Sequence, residues 1–131
     1  MKKNKPIIAI TQGDPSGIGT EIICKSLLKA EIYEICNPLI IGSSRQIKNY
    51  LVQFNIKKEI SIIEDTKYVT GNKNLIEIIE PSKYKNTNFP LGKVSKISGK
   101  ASHLWVEIAT YLCIKNHVNA MVTAPINKES W

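Results

Sequence analysis

Eleven residues near the start of the chain, TQGDPSGIGTE, combine three glycines with two carboxylates. Gly13, Gly17 and Gly19 predict a tight turn between an apolar run and a helix, a common place for a phosphate-binding loop. Their order, G-x-x-x-G-x-G, matches neither the dinucleotide fingerprint nor the P-loop. Asp14 and Glu21 would also repel a pyrophosphate, because they already satisfy the positive helix dipole. We expect the turn to receive an uncharged or cationic group, such as a hydroxyl, an amide, an oxidised nicotinamide ring or a metal-linked water.

Each small residue of this turn has a conformational explanation. Gly13 and Gly17 permit a positive φ or a close approach of the backbone, Pro15 stiffens the turn, and Gly19 can serve as the helix N-cap. A connection that only joins a strand to a helix would explain the same residues, so both interpretations stay open.

A second group of polar residues follows the last apolar run, AMVT, in the segment APINKE. Ligands of open α/β sheets gather outside the carboxyl ends of the strands. Asp14, Thr123, Asn127 and Lys128 meet this criterion and are the candidate residues near a substrate or cofactor. Lys128 could neutralise a phosphate or carboxylate, or form a salt bridge with Asp14, and Asn127 could cap the helix that follows.

The histidines and cysteines do not predict a metal centre or a disulfide framework. His103 lies off the apolar stripe of a long helix, and His117 lies near the C-terminus of that helix, where a solvated histidine is ordinary. Cys24, Cys36 and Cys113 are widely spaced in apolar contexts, which predicts buried, reduced thiols. We expect no metal ligands in this chain.

Composition indicates a soluble, cytoplasmic globular chain of about one domain. The chain has 131 residues, is 43% hydrophobic and carries a formal net charge of +7. Its apolar runs are too short to cross a membrane, and the start lacks the pattern of a signal peptide. The charge suggests anionic partners, but nearly all of it is scattered lysine, with Arg45 the only arginine. Small anions are therefore expected as partners, and neither nucleic acid nor membrane is.

Strand and helix patterns alternate along the chain, which predicts an α/β fold with a largely parallel sheet covered on both faces. Strands are expected at 5–11, 38–42, 59–63, 75–79 and 120–123, the last of them buried. Helices are expected at 20–30, after the caps Ser43 and Ser44, and at 98–116. The first buries a face of Ile22, Ile23, Ser26, Leu27 and Ala30, and the last buries a stripe of Ala101, Leu104, Trp105, Ile108, Ala109 and Leu112. The chain ends at Trp131, where such a fold would begin its next helix, so it is expected to be a truncated piece of a longer protein.

The glycine turn resembles the N-terminal signature I-T-x-G-D-P-x-G-I-G-P-E of the 4-hydroxythreonine-4-phosphate dehydrogenase family. Only Thr20 departs from it, at a position where proline is usual. The segment from Gly99 to Glu129 is similar to the family's G-x-x-S-x-x-x-x-x-x-x-A helix followed by D-A-L-V-T-A-P-I-N-K-E, with Asn119 in place of aspartate. The resemblance covers the whole chain but only about the first two-fifths of the family's length.

The resemblance implies a three-layer, mostly parallel sheet of the isocitrate and isopropylmalate dehydrogenase type, of which residues 1–131 form the N-terminal part. It also implies an NAD- or NADP-dependent oxidation of 4-hydroxythreonine 4-phosphate, assisted by a divalent metal (Zn, Mg or Co), in pyridoxine and pyridoxal phosphate biosynthesis. The 3-oxo acid formed decarboxylates to 3-amino-2-oxopropyl phosphate.

The family's metal ligands and most of its substrate contacts lie beyond Trp131, and the family is homodimeric. The isolated chain is therefore expected to be inactive, and no residue in it is identified as catalytic. Two alternatives remain. One is a related dehydrogenase of another four-carbon acid sugar phosphate, and the other is a self-sufficient, non-catalytic anion-binding module.

Overall fold

The computed structural model describes residues 4–131, which form a three-layer α/β unit. The strands are β1 (Ile7–Thr11), β2 (Asn37–Ile41), β3 (Glu59–Ile62), β4 (Leu75–Ile79) and β5 (Ala120–Thr123). The helices are α1 (Gly19–Ser26), α2 (Ala30–Ile35), α3 (Ser44–Gln53) and α4 (Lys96–Ile114), with short 3-10 helices at Thr66–Tyr68 and Lys128–Ser130.

The five strands form one parallel sheet in the order β3-β4-β2-β1-β5. β1 lies between β2 and β5: it pairs with β2 on one side and with β5 on the other, where Thr11 lies opposite Thr123. The predicted parallel α/β architecture is confirmed.

Helices cover both faces of the sheet. Since neighbouring residues of a strand point to opposite faces, each strand contributes side chains to both helix layers. Ile40 packs with Ile23, Leu27 and Ile47 from the face that α1, α2 and α3 cover. Leu39, the residue before it, packs against α4 on the other face. The α4 side of this core comprises Ala101, Trp105 and Ala109, with Ile108 and Leu112 at its margin. These belong to the stripe predicted from the sequence.

Two predicted elements differ from the structure on the α1 side. The helix expected over residues 20–30 ends at Ser26, and a separate helix, α2, begins at Ala30. The break is stabilised by Lys58, whose ammonium donates to the Leu27 carbonyl at the end of α1. Such a partner, from the residue before β3, leaves no local signal in the sequence. Ile22, predicted on the buried face, is 40% exposed, and Cys24 is buried in its place.

The prediction that β5 is buried was wrong for the part of the chain described. β5 pairs only with β1 and therefore forms an edge of the sheet, and Val122 is 53% exposed.

The three cysteines are free, as predicted, although only Cys24 is fully buried, while Cys36 and Cys113 are half-buried. Burial raises the pKa of the Cys24 thiol from 9.0 to about 11. It likewise raises the pKa of nearby Tyr33 from 10.0 to about 12. Both side chains belong to the packed core between the sheet and α1–α3.

Candidate functional site

The candidate site lies where the direction of strand order reverses. From β1 the chain builds the sheet towards β2, then crosses through α4 to place β5 on the opposite side of β1. Such a switch point leaves a crevice outside the carboxyl ends of the two diverging strands, the usual ligand position in open α/β sheets. The segments that follow β1 and β5 are the two identified from the sequence.

Gly13 brings these two segments into backbone contact. Its φ is +76°, and an added Cβ would lie 2.4 Å from the Pro125 carbonyl oxygen and 2.8 Å from that of Ala124. The Asp14 amide donates to the same Pro125 oxygen at 2.9 Å. Glycine is thus required at position 13 both for its conformation and for the close approach, as predicted.

Asp14 is directed into the turn itself. It is buried, at 4% exposure, and its Oδ1 accepts a hydrogen bond from the Ser16 amide at 2.8 Å. The salt bridges in residues 4–131 are Lys25–Glu21 and His103–Glu107. The alternative in which Lys128 pairs with Asp14 is therefore wrong, because each side chain is held or solvated elsewhere.

The three candidates after β5 lie at the same edge of the sheet. Thr123 ends β5 and is exposed. Asn127 caps the 3-10 helix Lys128–Ser130, its Oδ1 accepting from the Glu129 amide at 3.0 Å. Lys128 is exposed. The structure brings Asp14 and this segment together through the backbone, with no hydrogen bond between the side chains of the four candidates.

Two of the predicted turn roles were wrong. Gly19 is not the N-cap: Ile18 occupies that position, and Gly19 is the first helical residue. Glycine is needed there because a Cβ would lie 2.2 Å from the Gln12 carbonyl oxygen. Gly17 has no positive φ, and a Cβ there would meet its nearest neighbour, the Asp14 carbonyl oxygen, at an ordinary 3.5 Å.

Gln12 is the residue that sequence reasoning missed. Its side chain is fully buried and joins β1, α1 and α3: Nε2 donates to Thr20 Oγ1 at 2.8 Å and to Gln46 Oε1 at 2.7 Å. Its Oε1 accepts from the Ser43 amide at 2.6 Å. The sequence does carry one signal for this role, since Gln12 is a polar residue directly after a buried strand.

The same network gives Thr20 a role that proline could not fill. Thr20 stands where the family signature has proline, and its hydroxyl accepts the Gln12 hydrogen bond. Gln46 extends the network to the turn by donating to the Pro15 carbonyl at 2.7 Å.

An open cleft of about 330 Å³ adjoins the turn. It lies between residues 15–21, helix α3 and residues 87–91, and Arg45 is part of its wall. No helix or strand was predicted for residues 80–92. They fold back to form this wall because Gly92 donates to the Ser16 carbonyl at 2.8 Å, and because the Arg45 guanidinium donates to the Asn86 carbonyl at 2.9 Å.

The described residues do not fit a divalent metal ion. In residues 4–131 no group of three or more His, Cys, Asp or Glu side chains lies close enough together to hold one. His103 is 3.7 Å from Glu107 on the exposed side of α4, and His117 is also exposed. Within the same residues, no helix is both long and apolar enough to span a bilayer.

A family model described as pyridoxal phosphate biosynthetic protein PdxA matches residues 34–131. The chain belongs to this family. A Clostridium botulinum protein provisionally named D-threonate 4-phosphate dehydrogenase is 38% identical over 133 residues, which cover 99% of this chain and 39% of that protein. A Trichlorobacter lovleyi protein named 4-hydroxythreonine-4-phosphate dehydrogenase is 37% identical over 131 residues, again 99% and 39% of the two chains.

A solved PdxA-family structure confirms the fold. The crystal structure of a 4-hydroxythreonine-4-phosphate dehydrogenase from Burkholderia phymatum superposes with a TM-score of 0.90 at 31% identity, over 98% of this chain and 38% of that one. The chain is thus a member of a dehydrogenase family, and it spans about two-fifths of the length of the relatives it matches.

Proposed function

We propose that this chain is the N-terminal part of a dehydrogenase that oxidises the secondary alcohol of a phosphorylated four-carbon acid. The first candidate substrate is 4-hydroxythreonine 4-phosphate, in pyridoxal phosphate biosynthesis. The observation that carries the proposal is the contact between the two signature segments at the switch point, where the Asp14 amide meets the Pro125 carbonyl at 2.9 Å. A ligand between the ends of β1 and β5 would touch both.

The residues of this edge have separate roles in the proposed reaction. Lys128, exposed and without a salt bridge in residues 4–131, neutralises the phosphate or carboxylate of the substrate. The turn around Asp14 holds an uncharged group, because its carboxylate opposes an anion at the start of α1. Thr123 and Asn127 lie on the same side and complete the polar edge.

The cofactor and assembly are proposed from the family. Bound NAD or NADP would supply the acceptor for the hydride that the substrate alcohol loses, and the alcohol proton would pass to solvent or a base. The ligands of a divalent cation are assigned to residues outside 4–131. The complete protein is proposed to act as a homodimer. The cytoplasm is the proposed compartment.

A related substrate, D-threonate 4-phosphate, is the second candidate. The Clostridium botulinum relative bears that name at 38% identity, against 37% for the relative named for 4-hydroxythreonine 4-phosphate. The two acids differ by a hydroxyl and an amino group at one carbon, so a complete enzyme must be offered both.

A chimera tests the proposal most directly. The segment of the Trichlorobacter lovleyi protein that this chain matches is replaced by residues 1–131, and the formation of reduced nicotinamide is followed with each acid phosphate. We expect turnover by the chimera and none by the 131-residue chain alone. Turnover by the isolated chain would contradict the proposal. An inactive chimera together with salt-sensitive binding of polyanions by the isolated chain would also contradict it, and would favour the anion-binding module.

Lys128 has a matched control in the same chimera. Lys128→Ala is expected to raise KM for the phosphorylated substrate roughly tenfold or more, since an ion pair with a phosphate contributes more than a neutral hydrogen bond. Lys115→Ala removes another exposed lysine, at the far end of α4, and should leave KM unchanged. Equal effects of the two variants would remove Lys128 from the site.

A further inference from the structure

The first turns of α4 contact both segments of the candidate site. On the side of the glycine turn, the Oγ atoms of Ser98 and Ser16 lie 2.5 Å apart, and both side chains are buried. Ser16 is also the residue whose amide binds the Asp14 carboxylate. Helix α4 therefore holds the turn at a position directly adjoining Asp14.

The next residue of α4 holds the segment after β5. An ideal Cβ on Gly99 would lie only 1.5 Å from the Ser130 carbonyl oxygen, so the backbone of that segment lies directly on the helix surface. Ser130 is 4% exposed, and its hydroxyl accepts from the Ser95 amide at 3.4 Å. Lys128 lies two residues before this contact.

A third contact secures the same segment. The Trp131 indole N–H donates to Ser102 Oγ at 2.7 Å, one helical turn after Gly99. The Trp131 ring packs edge-on against His103, with ring centroids 4.8 Å apart. Gly99 and Ser102 both belong to the helical signature, and the proposed substrate contacts leave both without a role.

We propose that Ser98 and Gly99 are positioning residues. Through them, one rigid helix sets the separation between the glycine turn that carries Asp14 and the segment that carries Lys128. The catalytic consequence rests on the proposed function, whereas the positioning itself can be measured on the chain alone. Neither residue touches the reacting groups.

Substitution of Gly99 by alanine separates positioning from general stability. Alanine is the better helix former, so α4 persists, while the new methyl group excludes the Ser130 backbone. We expect the Trp131 indole resonance and the amide resonances of residues 127–130 to shift, and exchange of the indole proton to accelerate roughly tenfold. Ala109→Gly, a helix-weakening change in the middle of α4, is the control and should leave these resonances in place. Unchanged resonances in Gly99→Ala, or equal shifts in both variants, would overturn the proposal.

A double-mutant cycle tests the second contact without the risk of a steric clash. Ser16→Ala and Ser98→Ala each remove the same hydrogen bond, so each should lower the folding equilibrium constant about fivefold, and the double variant should lower it little further. Effects that multiply would show that the two hydroxyls do not hold the turn to α4.

The chimera supplies the catalytic readout. A displacement of about an ångström can cost roughly a hundredfold in rate. Gly99→Ala is thus expected to lower kcat at least tenfold, with Ala109→Gly within about twofold of the unsubstituted chimera. A kcat unaffected by Gly99→Ala would overturn the positioning role in catalysis. A chimera inactive before any substitution would instead contradict the proposed function, and the resonance and folding measurements would still decide the positioning.

Discussion

Gly13 and Gly17 lie four residues apart in one turn, yet the structure predicts opposite results when each is changed to alanine. Gly13 has a φ of +76°, and a Cβ there would approach the Pro125 carbonyl oxygen to 2.4 Å. Gly17 has no positive φ, is exposed, and would place its Cβ 3.5 Å from the nearest atom.

The magnitudes follow from these geometries. Alanine in the left-handed conformation costs about 1–2 kcal/mol. Separating the two segments also leaves the buried Asp14 amide without its partner, which costs about 1–3 kcal/mol more. Gly13→Ala should therefore lower the free energy of unfolding by about 3 kcal/mol. Gly17→Ala should leave it unchanged or raise it by up to about 1 kcal/mol, because alanine has less backbone freedom in the unfolded chain.

Urea denaturation, followed by circular dichroism, measures both variants beside the parent chain. At a slope of about 2 kcal/mol per molar, Gly13→Ala should lower the midpoint by about 1.5 M with an unchanged slope. A Gly17→Ala midpoint that falls by the same amount, or a Gly13→Ala midpoint equal to the parent's, would refute the argument from backbone geometry.

Three further predictions concern the parts of the fold that support the site. Gln12→Leu removes the three hydrogen bonds of a buried side chain and leaves the Ser43 amide without a partner, so urea denaturation should show a loss of about 2–4 kcal/mol; a loss below 1 kcal/mol would contradict the central role of Gln12. Glu77→Ala should cost about 2–4 kcal/mol by the same assay, because this buried carboxylate accepts from the Thr70 amide and hydroxyl and from the Gly71 amide; a change under 1 kcal/mol would count against it. The thermal midpoint should fall as pH rises from about 9 to about 12, since the raised pKa values of Cys24, about 11, and Tyr33, about 12, keep protons on the folded chain that the unfolded chain has released. The lowered pKa of Lys58 raises the thermal midpoint with pH just below 10.5, in the opposite direction. Tyr33→Phe should make the alkaline fall in the midpoint smaller, and an unchanged profile in that variant would contradict the assignment of the fall to Tyr33.

Much of the fold could be predicted because its signals are local. The strand at 75–79 was predicted with its observed bounds, and the stripe along α4 from Ala101 to Leu112 follows from helical spacing alone. The break between α1 and α2 could not be predicted in the same way, because a contact that stabilises it, from Lys58 to the Leu27 carbonyl, joins residues 31 positions apart. The exposure of β5 depends in the same way on which strands flank it.

In the candidate site, too, the residues with local signals could be predicted and those that depend on distant contacts could not. Gly13 could be predicted because a turn that reverses the chain needs a residue with positive φ, whatever surrounds it. Gly19 needs glycine for a different reason, the approach of the Gln12 carbonyl, and a pattern of glycines does not distinguish the two. Gln12 itself was missed because its partners come from α1, from α3 and from Ser43, two positions after β2, which only the folded sheet brings together.

The carboxyl edge of the sheet is electrically asymmetric, and this bears on where a charged substrate would lie. Glu21 occupies the first turn of α1, and the Glu80 carboxylate accepts from the Ser44 amide at the start of α3 at 2.7 Å. Helix α4 has no acidic residue in its first turn. Because each helix N-terminus carries about half a positive charge, the positive potential is cancelled at the starts of α1 and α3 but persists at the start of α4. An anionic group is therefore better accommodated on the side of α4 and Lys128, and the glycine turn is left to the uncharged part of a ligand.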